Sequence, residues 1–135
     1  MGLDNGFVVK SNKGKIIRED LPKELIYPFG DDFGYAPEIV YWRKNWGLRT
    51  VVLNSLDISN SEGGCFQIDT SEQIFKIIKI IFSFMDEKVW EEEGYSIWTY
   101  EEIKPILERD IINLVLMIPF MRENPDVYLE FYDSY

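Results

Sequence analysis

Histidine is absent from this 135-residue chain, and cysteine occurs once, as Cys65. Without histidine the commonest general base is missing, and so is the middle member of Ser-His-Asp and Cys-His arrangements. A structural zinc site of cysteine and histidine is excluded, as is an intrachain disulfide. No apolar run is long enough to span a bilayer. The opening residues, Met1 to Gly6, lack the basic and apolar regions of a signal peptide. Gly6 also stands where N-myristoylation needs Ser or Thr. No glycine-rich phosphate or dinucleotide fingerprint is present. These absences lead us to expect a cytoplasmic protein that is not an enzyme, with no catalytic residue, metal or cofactor to assign.

Aromatic residues are plentiful, at 16% of the chain. Large rings bury much area each, so one domain over residues 1–135 can build a core. The formal charge is -10 and unevenly spread. Residues 1–49 hold 8 Lys/Arg against 7 Asp/Glu, and residues 50–135 hold 6 against 17. Such a surface repels nucleic acid and anionic membranes and attracts basic proteins. The plainer account is solubility.

Gly6 to Lys10 reads as a strand. A turn at Ser11-Asn12-Lys13-Gly14 would return Lys15 to Arg18 as a second hairpin arm. Glu19 to Pro37 is broken by prolines and glycines, and its Gly-Asp-Asp-Phe-Gly run (30–34) reads as a turn rather than a calcium loop. Glu38 to Arg43 is the clearest strand of the first half. Asn45 then suits an N-cap, with a helix from Trp46 to Leu56 burying Leu48, Val52 and Leu56. Cys65 to Asp69 is a short strand.

Thr70 and Gln73 form a capping box for a helix reaching Met85, whose wet stripe is only Lys76, Lys79 and Ser83, so it should be largely buried against a sheet. Asp86 to Gly94 reads as an acidic helical turn around Trp90. Thr99 and Glu102 form a second capping box, opening a helix to about Arg122. Pro105 and Pro119 predict a kink or break in it, and Ile111 to Met121 predicts deep burial. Val127 to Tyr132 alternates as a strand with one wet face, adding to an existing sheet. The expected fold is α+β, with a mainly antiparallel sheet of about five short strands. Two long apolar helices and one shorter helix would pack it.

Tyr41 to Arg49 gathers three rings and three cations where a strand turns into a helix. The amides of Trp46 and Gly47 would favour an anion there, and Arg43, Lys44 and Arg49 would supply countercharge. Tyr41, Trp42 or Trp46 would stack on a base, with Asn45 at the cap. Together they would suit a nucleotide. The competing account puts the tryptophans in the core and the arginines in ion pairs. A second candidate is the acidic run of Asp86, Glu87, Glu91, Glu92 and Glu93, whose carboxylates can imitate a phosphate backbone toward a basic partner; its competitor is a solvated face. Glu101 and Glu102 are explained by the helix dipole alone. Cys65 reads as a small buried thiol rather than a nucleophile. Tyr128, Tyr132 and Tyr135 would serve a homo-oligomer interface or pack on neighbouring strands.

Three patches, Met1 to Gly6, Tyr41 to Lys44 with Trp46 and Arg49, and Phe131 to Tyr135, resemble small uncharacterised proteins of phages and low-GC bacteria that begin Met-Gly-Leu-Asp. The resemblance carries over no catalytic residue. It implies a phage or mobile-element setting, where small acidic proteins often inhibit a defence nuclease and small binding proteins sequester nucleotides. The leading expectation is a non-enzymatic inhibitor of a basic, nucleic-acid-handling protein, such as an anti-defence or toxin-immunity protein. The alternatives are a nucleotide-binding module at Tyr41–Arg49 and a small enzyme of unknown class.

Overall fold

A computed structural model of the chain describes residues 3–28, 36–58 and 63–134. Four strands, β1 (Asp4–Ser11), β2 (Glu38–Arg43), β3 (Gly64–Ile68) and β4 (Val127–Ser134), form one antiparallel sheet in the order β2-β1-β4-β3. Among the described residues four helices accompany it: α1 (Trp46–Ser55), α2 (Ser71–Ser83), α3 (Glu87–Glu93) and α4 (Tyr100–Glu123). The architecture is α+β, with four strands among the described residues rather than five.

The missing strand is the expected hairpin arm at Lys15–Arg18. Gly14 makes only an isolated bridge to Ser11, and a short 3-10 turn follows at Arg18–Asp20. Both edges of β1 are already occupied, by β2 on one side and β4 on the other. A local hairpin would have to displace one of these longer pairings. For the same reason β4 does not extend the sheet at its rim. It lies inside, between β1 and β3, with Phe7 opposite Phe131. The 30–34 turn lies outside the described residues.

The two rims of the sheet differ. On β2, the Ile39 carbonyl accepts from Asn113 Nδ2 and the Arg43 carbonyl accepts from Trp98 Nε1. β3, among the described residues, pairs only with β4.

The alternation in β4 places Val127, Leu129, Phe131 and Asp133 inward. Phe7, Trp42 and Phe131 meet at the centre, with Phe7 edge-on to Trp42 at 5.8 Å between ring centroids. Both expected capping boxes are present, at Thr70 with Gln73 and at Thr99 with Glu102. Asn45 is different: its side chain does not cap α1.

α4 is continuous through Pro105 and Pro119. Both prolines are on its exposed side, as are Glu101 and Val115 four residues earlier. Water can therefore satisfy the carbonyls that lose a helical donor. Burial of the apolar helices is one-sided. Ile112 and Val115 on α4, and Phe75 and Phe82 on α2, are exposed. α2 sits beside α1 and α4, and its buried stripe is Ile74, Ile77 and Ile81.

Two polar residues of α4 are fully buried. Asn113 is satisfied through three hydrogen bonds, accepting from Ile26 N and donating to the Ile26 and Ile39 carbonyls. Asp110 accepts from Trp42 Nε1 at 2.8 Å, while its other oxygen has no hydrogen-bond partner among the described residues and lies 3.7 Å from Arg109. Burial raises its carboxyl to about 7, against the Trp42 hydrogen bond and the Arg109 charge. Sequence reading missed both residues. Their signal was a polar side chain three and six positions after Leu107, on the apolar stripe.

Candidate functional site

The strand-to-helix stretch is engaged almost throughout by the protein itself. Tyr41 donates its hydroxyl to Asp4 at 2.6 Å, and burial and that bond push its phenol up to about 12. Trp42 is core and bonded to Asp110. Arg49 makes a two-pronged pair with Asp133, with Nε–Oδ1 and Nη2–Oδ2 both at 2.8 Å. Asp133 also accepts from Asn5 Nδ2 and is completely buried on its side chain. This geometry, in a dry setting, makes Arg49 a tie between α1 and the last strand.

The N-terminus of α1 is closed as well. Trp46 N donates to the Tyr95 carbonyl and Gly47 N to the Gly94 carbonyl. Gly47 has no side chain for a different reason from phosphate access. A Cβ there would lie 1.9 Å from the Glu93 carbonyl oxygen and 2.7 Å from that of Gly94. Asn45 is buried and accepts a short hydrogen bond from Ser96 Oγ, the two residues forming an isolated bridge. The amides expected to meet an anion thus meet residues 94–95. Arg43 is exposed, and Lys44 is half-buried at a positive φ of 54° with its amide bonded to the Leu3 carbonyl. Neither is in an ion pair among the described residues.

The segment plugging α1 leads to the acidic corner. Asp86 caps α3 by accepting from Lys88 N and Val89 N. Glu87, Glu91, Glu92 and Glu93 are all exposed. Among the described residues none of them is in an ion pair. Glu102 closes the capping box, and the Thr99 backbone hydrogen bond holds its carboxyl below the ordinary value. Glu101 is exposed beside it.

Between α3 and the start of α4 lies a groove of about 430 Å³. Its lining residues include the aromatics Trp90, Tyr95, Trp98 and Tyr100 and the acids Glu91 and Glu101, with Trp90 almost wholly buried beneath. Three of these rings have their polar atoms tied to backbone carbonyls. Trp90 Nε1 donates to Trp98 O, Trp98 Nε1 to Arg43 O, and the Tyr100 hydroxyl to Met85 O. Tyr95 is 70% exposed and sits at a positive φ of 45°. That conformation is uncommon for a bulky residue. It is imposed where Gly94 and Tyr95 give their carbonyls to the α1 amides. Sequence reading took Trp90 as the centre of α3 but missed the groove, which joins residues on both sides of a loop without periodicity.

The outer face of the sheet carries the remaining candidates. Cys65 is exposed, not buried as expected, because odd positions of β3 face away from the core. Desolvation and the Glu130 carboxylate raise its thiol above the ordinary value, which disfavours the thiolate. Tyr132 crosses Gly6, where a Cβ would lie 2.9 Å from its hydroxyl, and is hydrogen-bonded with Glu38. Burial raises Glu38 to about 6. Tyr128 is half-buried, and Tyr135 lies outside the described residues.

Among the described residues no group of three His, Cys, Asp or Glu is placed to hold a metal ion. No helix of those residues is long and apolar enough to cross a membrane. Comparison with protein-family models, curated proteins and solved structures finds no match to this chain.

Proposed function

We propose that this protein binds a basic protein partner through the corner formed by α3 and the start of α4, and that it acts there as a non-enzymatic inhibitor. The observation that carries this is the state of Glu87, Glu91, Glu92 and Glu93: exposed, and in no ion pair among the described residues. Glu87 and Glu91 lie one turn apart and repel each other, and the seven-residue helix carries four carboxylates against Lys88 alone. A cationic surface relieves that repulsion on contact and is steered toward it from a distance. A nucleic-acid-handling protein offers such a surface, so an anti-defence or toxin-immunity role fits the chemistry. The setting is cytoplasmic, without direct contact to nucleic acid or membrane.

The test is capture of a partner by the wild-type chain and by a variant with these four glutamates changed to glutamine. Identified by mass spectrometry, the partner should be a basic protein whose affinity falls steeply between about 0.05 M and about 0.5 M salt. The variant should lose it. Retention of the same partner at unchanged affinity by the variant overturns the proposal.

A nucleotide module at Tyr41–Arg49 is the second function to test. Among the described residues Arg43 and Lys44 are its cations outside ion pairs, since Arg49 is paired with Asp133 and the α1 amides are bonded to residues 94–95. Protection of the chain against thermal unfolding by a nucleotide, lost in Arg43→Ala, would favour it over the acidic corner.

A further inference from the structure

The groove beside the acidic helix has chemistry of its own. The partly or fully exposed aromatic residues Tyr95, Trp98 and Tyr100 line it above the buried Trp90, with the exposed acids Glu91 from α3 and Glu101 from α4. Among the described residues no lysine or arginine is part of that lining. Aromatic faces carry negative quadrupole potential, so rings and carboxylates act with the same sign. The hydrogen bonds of Trp90, Trp98 and Tyr100 to backbone carbonyls fix those rings and remove their donors from the groove. A ligand entering it therefore meets aromatic and acidic residues. Pre-fixed rings also spare most of the ordering cost of binding.

We propose that this groove is a recognition pocket for one arginine side chain presented by the partner protein. The proposal rests on the acidic-corner function above and names the group that the partner inserts. A guanidinium is flat, so it stacks on an aromatic face while its edge donates to carboxylates. Its weak hydration makes entry into a ring-lined site less costly than for an ammonium. The methylene stem lies along the apolar ring surfaces. Tyr95, 70% exposed, is the ring free to close over the guest.

The test uses three capped peptides, Gly-Arg-Gly, Gly-Lys-Gly and Gly-citrulline-Gly, titrated into the full chain to about 10 mM, which reaches affinities in the millimolar range. The indole N–H resonances of Trp90 and Trp98 are followed by NMR. The arginine peptide should shift them saturably, the lysine peptide at about tenfold lower affinity, and the uncharged citrulline peptide not at all. Tyr95→Asn and Glu101→Gln should each weaken the arginine peptide by about fivefold or more. Asparagine tolerates the positive φ, so Tyr95→Asn should fold normally, and an unchanged unfolding midpoint checks this. Equal shifts from arginine and citrulline peptides, no shift from any peptide, or binding indifferent to both variants each overturn the proposal.

The two proposals fail separately. If partner capture survives Tyr95→Asn but not neutralisation of Glu87, Glu92 and Glu93, the acidic surface stands and the pocket falls. If the arginine peptide binds and no charge-dependent partner is captured, the pocket stands and the inhibitor function falls.

Discussion

The stretch Tyr41–Arg49 and the corner Glu87–Glu101 are both rich in rings and charge, yet the fold treats them oppositely. In the first, Arg49 is locked onto Asp133, Trp42 onto Asp110, and the helix amides onto residues 94–95. In the second, four glutamates face solvent outside any described ion pair, beside a groove walled by rings. The difference comes from the surroundings. Of the three cations, Arg49 has a buried carboxylate at hand, while Arg43 and Lys44 stay outside ion pairs among the described residues. The glutamates follow one another on a short exposed helix and have few cations to meet. Density of charge and aromatics in a sequence therefore marks a place where something binds, and the fold decides whether that something is the protein itself.

The largest expected effect tests the internal side. Arg49→Ala leaves Asp133 buried and without its ion pair, and should cost about 3–5 kcal/mol. Chemical denaturation measures it, and loss of less than about 1 kcal/mol would remove Arg49 from the structural side of the comparison. Next is Gly47→Ala, whose Cβ has no room against the Glu93 and Gly94 carbonyls. It should cost about 1–3 kcal/mol. It should also perturb the groove, because the same backbone carries Tyr95. An unperturbed Trp98 indole resonance in a destabilised Gly47→Ala would show that the two regions are uncoupled.

The third effect depends on pH. Asp110 holds its proton to about 7 in the folded chain and to about 4 when unfolded. Between those values the folded state binds more protons, so stability falls as pH rises from about 4 to about 7. Glu38, raised to about 6, acts in the same sense. Asp126 and Glu102, held low, act in the opposite sense as the solution becomes more acidic still. Asp110→Asn keeps an acceptor for Trp42 and removes the ionisation. It should gain about 1–3 kcal/mol at pH 8 and far less at pH 5. Equal effects at both pH values would mean that Asp110 is ionised throughout.

The smallest effect is at the corner. Changing Glu91, Glu92 and Glu93 to glutamine should alter stability by no more than about 0.5 kcal/mol. A slight gain is expected from relieved repulsion. A loss of about 2 kcal/mol would place these side chains among the internally engaged ones and erase the contrast.

Local signals were legible and long-range ones were not. The two capping boxes, the β2 strand and the alternation of Val127 to Tyr132 follow from neighbours a few residues apart, and each is present. The hairpin after Lys10 has an adequate turn sequence, but distant strands already hold both edges of β1. The apolar stretch from Ile111 to Met121 holds residues that face solvent, because composition does not say how many sides of a helix find partners. At the candidate site, the crowding of Tyr41–Arg49 was visible, while its partners Asp133 and Gly94 lie far along the chain. The groove depends on a loop and two helix ends, and no spacing in the sequence encodes such a junction.

The pairing of β1 with β4 bears on how the molecule reaches this state. Asn5 and Asp133 are 128 residues apart in sequence and hydrogen-bonded in the centre of the sheet. Among the described residues β2 pairs only with β1 and β3 only with β4, so the β1–β4 pairing is what joins two strand pairs into one sheet. Closing so long a loop is entropically costly. The helices can form early from local contacts, while the four-stranded sheet should be completed late, giving slow folding for the chain length. Residues 127–134 are then the last turn of a lock rather than trim on a finished edge.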